Sequence, residues 1–135
     1  MGQQQLLLLV MSVVLVGLAV VAAFTVLDRN YRQDEADGLL NRSLAIATHA
    51  AYWKAKNDPF AGGSESYERL AENGLKTLAL DSANVRGRFA ITGATAGTLE
   101  VTGVSDRYPG IGVRVYVSGY AVDSSQVSFD GAFSL

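Results

Sequence analysis

Residues 6–27 read LLLLVMSVVLVGLAVVAAFTVL, a run of 22 residues without a charge. As an α-helix this run would be roughly 33 Å long, about the thickness of the hydrocarbon core of a bilayer. Its only polar side chains are those of Ser12 and Thr25, and a helix satisfies both hydroxyls through its own carbonyl groups. In lipid, a helix is the one open segment that satisfies all of its backbone polar groups. The run therefore predicts a membrane-spanning helix.

The rest of the 135-residue chain has a different composition. All 11 Lys and Arg and all 13 Asp and Glu lie from Asp28 onward, and the formal net charge is −2. This balance gives no electrostatic reason to expect nucleic acid binding. The chain has no cysteine, which excludes disulfides and thiolate metal sites. Its length suits one small domain beside the apolar run.

The apolar run is compatible with three uses: a signal peptide, a membrane anchor, or a helix that later packs against copies of itself. A secretory signal peptide is disfavoured, because no Lys or Arg precedes the run and its apolar core is long. An ordinary single-pass anchor fits the pattern, and so does a helix that leaves the membrane to pack against copies of itself. Arg29 and Arg32 follow the run, and the positive-inside rule alone would place the C-terminal part in the cytoplasm.

The helix is predicted to continue beyond the apolar run. Residues 28–56 hold apolar or small side chains at a spacing of three and four, which is one helical face. Asp28 and Arg32 are spaced for an i,i+4 ion pair. Gly38 is the one weak point, and Asp58-Pro59 is a stop signal. We expect one helix from about residue 3 to about residue 56, apolar on every side over 3–27 and amphipathic over 28–56.

Residues 57–135 are predicted to form a small globular domain. A short helix is expected over residues 65–80, with Asn73-Gly74 as the candidate point at which it splits into two turns of helix. Period-two alternation over 85–134 predicts a three- to four-stranded antiparallel sheet that packs on the amphipathic part of the long helix. The predicted fold class is therefore α+β. Val85, Val127 and Phe129 are assigned to the inward face of the sheet. The residues expected to make the contact between helix and sheet are Leu40, Leu44, Ala47, Ala51, Phe89, Val113, Val115 and Val117.

This organisation resembles a type IV pilin or a related pilin-like filament subunit. That family has a leader ending in glycine, an apolar N-terminal helix, an amphipathic extension of that helix, and a small antiparallel sheet packed on the extension. The resemblance covers the whole chain in architecture, and in motif only Gly2 and the run that follows it. It implies cleavage between Gly2 and Gln3, so that residues 1–2 are the leader and Gln3 is the mature N-terminus.

The resemblance also implies a function. The chain would be a structural subunit of an extracellular helical filament at the cell surface, built from many copies. The assembly machinery of the pilus would take it from the inner or cytoplasmic membrane, and the sheet would lie outside the cytoplasm. Bacterial pilins usually carry a glutamate where this chain has Leu7, so here the glutamines at residues 3–5 would supply neutral hydrogen bonds. The residues implied in the filament core are Leu6, Leu7, Leu8, Leu9, Val13, Val14, Leu15, Val16, Leu18, Val20 and Phe24.

The sequence offers no catalytic constellation. It has no GxSxG, Walker A or GxGxxG signature, and its only histidine, His49, lacks the usual partners of a zinc site. His49 is expected to have a structural role beside Trp53, and the acidic side chains within residues 34–37 are expected to form a solvated helix face. We therefore expect no catalytic residues, no metal and no cofactor. The alternative to a filament subunit is a single-pass membrane protein whose extracytoplasmic domain binds a partner or assists a secretion machine.

Overall fold

The computed structural model describes residues 2–57 and 62–135 of the chain. Residue 1 of the predicted leader and residues 58–61, which include the predicted helix stop, lie outside the described residues. The elements are α1 (Gly2–Ala55), a 3₁₀ turn (Glu68–Leu70), α2 (Gly74–Thr77), β1 (Gly87–Ala94), β2 (Thr98–Ser105), β3 (Gly112–Ser118) and β4 (Ala121–Ser128). The predicted α+β class is confirmed. The chain divides into two compact units, Met1–Gln33 and Asp34–Leu135.

α1 is an unbroken helix of 54 residues. The hydroxyls of Ser12 and Thr25 donate to the carbonyl oxygens four residues earlier, at 2.8 and 3.1 Å, as predicted. Asp28 and Arg32 form the predicted i,i+4 ion pair, with 3.3 Å between Oδ2 and Nε. The helix continues through Gly38, because the packing of the second unit outweighs the propensity cost of one glycine, about 1 kcal/mol.

The four strands form one antiparallel sheet in the order β1-β2-β3-β4. Each edge strand contains a β-bulge. In β1 the register shifts between Ile91 and Gly93, which leaves Thr92 as the inserted residue. In β4 the register shifts opposite Tyr116 and Val117, which leaves Asp123 as the inserted residue. A bulge of this kind bends its strand and increases the local twist.

The hydrophobic core lies between the second part of α1 and one face of the sheet. Burying each large apolar side chain there contributes roughly 1.5–3 kcal/mol of transfer free energy. The core residues are Ala36, Leu39, Ile46, Ala47, Ala50 and Trp53 from α1; Phe89, Leu99, Val101, Val113, Val115 and Val117 from the strands; and Tyr67, Leu70, Leu75 and Ile111 from α2 and the connections.

The helix face in the core is centred one residue away from the predicted face. Ala47 is buried, but Leu40 and Leu44 are half-buried and pack against the rim of the core. Ala51 is also half-buried. On the sheet side, the predicted contact residues of β1 and β3 are all in the core.

Three other details differ from the expectations drawn from the sequence. Residues 65–80 form a 3₁₀ turn and the four-residue α2 in place of one short helix, because Asn73 adopts a left-handed conformation (φ 52°) between them. Val85 lies before β1 and is 88% exposed, so its assignment to the inward face was wrong. Val127 and Phe129 are 41% and 45% exposed, because the described core ends at β3 and leaves the edge strand β4 uncovered.

Candidate membrane and assembly surface

Residues 6–27 of α1 carry an apolar surface that no described residue covers. By length and composition α1 is the one described helix, within residues 2–57 and 62–135, that is able to span a membrane, and none of its most apolar window of 18 residues is buried. Exposure of such a surface to water costs roughly 25 cal/mol per Å². This apolar segment is compatible with a membrane anchor or with pilin-like assembly.

The eleven residues predicted to form the filament core all lie on this surface, and their exposed fractions run from 47% at Val20 to 67% at Phe24. They surround the helix, since Leu6, Leu7, Leu8 and Leu9 are consecutive and each is at least 60% exposed. A helix that is apolar on every side is one that becomes surrounded, either by lipid or by other protein. A single apolar stripe would have indicated one partner on one side.

The N-terminus of α1 has no acidic side chain in its first turn. The first N–H groups of a helix lack partners within the helix, and residues 3–5 of this first turn are three exposed glutamines. A Cβ atom added at Gly2 would meet no atom within 4 Å. The described residues therefore leave room for a side chain at this position.

Glu35 is the polar centre of the contact between α1 and the sheet. It is 2% exposed, although the sequence pattern placed it on a solvated face, and that expectation was wrong. Ser105 Oγ, at the end of β2, donates to Glu35 Oε1 at 2.7 Å. Arg86 Nη1, just before β1, lies 3.4 Å from Glu35 Oε2. Two partners from the sheet side compensate the buried carboxylate, as a buried charge requires.

The Arg86 side chain reaches this carboxylate by packing against Gly38, where a larger residue would block it. A Cβ atom at residue 38 would stand 2.5 Å from Arg86 Nε. Arg86 Nη1 also donates to the carbonyl oxygen of Asp34, at 3.4 Å. The glycine that looked like a weak point of the helix is therefore where the guanidinium lies against it.

A second polar contact fixes the C-terminal end of α1. Lys54 is 5% exposed, and its Nζ lies 4.5 Å from the ring centre of Tyr67 and 4.6 Å from that of Tyr120. Tyr67 Oη donates to the carbonyl oxygen of Gly119, at 2.6 Å, in the turn between β3 and β4. Burial, together with the neighbouring Tyr120, raises the pKa of the Tyr67 hydroxyl above its ordinary value. Cation–π contacts thus replace a carboxylate partner for this lysine.

His49 lies on α1, four residues before Trp53; His49 is exposed, whereas Trp53 is buried. The structural role expected for His49 stays a prediction. Within residues 2–57 and 62–135, no group of three or more His, Asp or Glu side chains is placed to hold a metal ion.

No family model matches the chain, and no curated protein or solved structure matches it. The architecture itself is pilin-like, because a long helix with an apolar N-terminal part is followed by an antiparallel sheet that packs on residues of its C-terminal part. The helix is also compatible with a membrane anchor.

Proposed function

We propose that this chain is the structural subunit of an extracellular helical filament of the type IV pilus kind, and that it assembles through residues 3–27 of α1. The observation that carries the proposal is the uncovered apolar surface of residues 6–27, in the same helix whose residues 34–55 are held under the sheet. A bilayer and a filament core are both apolar, so this surface is satisfied before and after assembly.

The proposed mature chain begins at Gln3, after cleavage that removes residues 1–2. The glycine that precedes the apolar run supports this step, because it stands where the leader of the resembled family ends. Glutamine amides can enter a filament core when their hydrogen bonds are met. They would bond neighbouring copies there, in the place of the ion pair that a glutamate at position 7 would make.

The proposed partners are further copies of the same chain, the membrane that holds the subunit before assembly, and the machinery that extracts it. Repetition of one head-to-tail contact that does not close on itself produces a helical fibre. The Glu35 and Lys54 contacts support the proposal, because they fix residues 34–55 to the sheet and let this unit be carried as one body.

A single-pass anchor is the second candidate, and the length of the apolar run favours it. Residues 6–27 match the hydrocarbon thickness of a bilayer as a single helix, at roughly 33 Å, and this match needs no other copy of the chain. In that case the domain outside the membrane would bind a partner or assist a secretion machine.

Negative-stain microscopy of material sheared from the cell surface, combined with mass spectrometry, tests the proposal. We expect filaments that contain this chain with Gln3 as its first residue, and we expect them to be missing from cells that lack the gene. Recovery of the chain from detergent-extracted membranes alone would reject the filament and favour the anchor.

A further inference from the structure

The sheet carries a shallow groove of about 570 Å³ on the face that points away from α1. One row of cross-strand partners runs through it: Gly93 on β1 pairs with Glu100 on β2, Glu100 with Tyr116 on β3, and Tyr116 with Ser124 on β4. Glu100 and Tyr116 alternate along their strands with buried core residues, so their side chains lie on the opposite face. The volume falls within the ~300–1,000 Å³ of small-molecule sites.

Both bulges of the sheet lie beside this row. Thr92, inserted in β1, donates its hydroxyl to Glu100 Oε1 at 2.7 Å. Arg114 Nε lies 3.3 Å from the same oxygen. Asp123, inserted in β4, lines the other side of the groove. Bulges change the direction of side chains and are enriched next to active sites. Here the two bulges lie on either side of the cross-strand pair Glu100 and Tyr116.

The lining of the groove selects the chemistry of a ligand. Hydroxyl groups come from Thr95, Thr98, Ser118 and Ser124, carboxylates from Glu100 and Asp123, and a phenol ring from Tyr116. None of the lining residues is basic, which disfavours a phosphate or a sulfate. Leu99 and Val117 turn their side chains into the core, so the groove has no deep apolar interior for a lipid chain.

A cationic ligand is also disfavoured. Glu100 is already paired with Arg114, so among the described residues Asp123 is the one lining carboxylate without an ion pair. An exposed ion pair contributes only about 0–1 kcal/mol. Hydroxyl donors, carboxylate acceptors and one aromatic ring instead match a neutral molecule that bears many hydroxyls on a partly apolar ring.

We propose that this groove binds a short neutral oligosaccharide, with one pyranose ring against Tyr116 and sugar hydroxyls that donate to Asp123. Hydroxyls of the serine and threonine residues complete the contacts. The inference concerns the outer face of the sheet alone, so it stands whether the chain forms a filament or remains a membrane anchor.

Saturation-transfer difference NMR on the full chain in phosphatidylcholine nanodiscs tests the proposal. Alkyl glycoside detergents are avoided, because their head groups are sugars. The probes are maltose, lactose and N,N′-diacetylchitobiose, and we expect at least one to receive saturation with a Kd of about 1 mM. Saturation of none of the three probes at 10 mM, a concentration of about ten Kd, overturns the proposal. Binding of the cation spermidine in their place also overturns it.

Three variants assign the binding to the groove. Tyr116→Ala and Asp123→Asn are each expected to raise the Kd by about tenfold, since each removes a principal contact. Gly93→Val is expected to abolish the signal by occupying the groove. The backbone there has room for a Cβ atom, which would meet Glu100 Cβ at 3.4 Å.

Matched controls separate lost binding from lost folding. Tyr52→Ala removes a tyrosine that is 67% exposed on α1, and Asp81→Asn removes an exposed aspartate before β1. Both residues lie outside the groove, so both variants should bind as the unchanged chain does. A Gly93→Val chain that keeps its thermal unfolding midpoint and still binds the sugar would show that the site is elsewhere.

Discussion

The carboxylate of Glu35 and the guanidinium of Arg86 form an ion pair, 3.4 Å between Oε2 and Nη1, that crosses α1 where Gly38 has no side chain. The acid side chain is 2% exposed and the arginine side chain 40% exposed, so the pair has one buried member and one partly hydrated member. The stability of this contact therefore depends on keeping partners on the buried oxygen atoms.

Replacement of Gly38 by alanine is predicted to have opposite effects in two backgrounds. In the unchanged chain, the new Cβ displaces Arg86 and leaves Glu35 without its charge partner, which outweighs the gain of about 1 kcal/mol in helix propensity. In an Arg86→Ala background the three atoms nearest to the new Cβ are removed, and we expect the same substitution to stabilise the fold by about 1 kcal/mol. Urea unfolding in micelles, followed by the fluorescence of Trp53, measures both. Stabilisation in both backgrounds would show that the Arg86 side chain does not occupy the space beside Gly38.

Removal of the buried carboxylate is predicted to destabilise the second unit. Glu35→Ala loses charge-assisted bonds to Ser105 and Arg86, and we expect the free energy of unfolding to fall by about 2–4 kcal/mol. Asp34→Ala is the matched control, because Asp34 is the exposed neighbour on the same helix, and its effect should stay within about 0.5 kcal/mol. Equal effects from the two variants would contradict the assigned role of Glu35.

Ser43 offers a stabilising substitution. Its Oγ is buried and has no hydrogen-bond partner among the described residues. A buried hydroxyl without a partner costs roughly 1–3 kcal/mol, and alanine also has the higher helix propensity. Ser43→Ala should therefore raise the free energy of unfolding by about 1 kcal/mol. A loss of stability in the same urea experiment would indicate that the hydroxyl has a partner in solution.

The Tyr67 hydroxyl is predicted to make stability depend on alkaline pH. Burial raises its pKa in the folded state, so above pH ~10 the unfolded chain releases this proton before the folded chain does. The stability that the protonated Tyr67 hydroxyl contributes is fully present below pH ~10 and is lost as the pH rises through the pKa of the folded state. Tyr67→Phe removes it, so the stability difference between the two chains should shrink above pH ~10. A constant difference from pH 8 to pH 11 would refute the raised pKa.

The proposed assembly predicts that a charge on the apolar surface is not tolerated. Leu15→Asp would bury a carboxylate without a partner in a filament core, and we expect no filaments by electron microscopy. Val85→Asp adds the same charge at a residue that is 88% exposed in the second unit, and should leave filaments intact. Normal filaments from Leu15→Asp would mean that this helix is not the core.

Local patterns in the sequence were sufficient for most of the fold. The uncharged run predicted the apolar half of α1, and period-two alternation placed the valines of β3 in the core, because both signals depend on neighbours in sequence. The burial of Glu35 could not be predicted in this way. Its partner Arg86 lies 51 residues away, and only the folded chain brings the two together.

The exact face of α1 was also not predictable. The apolar spacing favoured Leu40 and Leu44, whereas the fully buried stripe includes the polar Ser43. Ser43 lies against Gly103 of β2, where an added Cβ atom would stand 3.2 Å from the hydroxyl and 2.7 Å from the ring of Phe89. Close approach at this glycine rotates the buried face by one residue. The outer groove was missed because no spacing rule marks the bulges that shape it.

Among the described residues, no strand pairs with the outer side of the edge strand β4, and seven of its eight residues are exposed. Such an edge is a template for amyloid-like strand addition when many copies are held close together. In β4 the bulge interrupts the flat edge, and the insertion places the charge of Asp123 there. The same residue that shapes the groove thus carries the kind of charge that opposes strand-to-strand aggregation, and the proposed association between copies would be left to the helix.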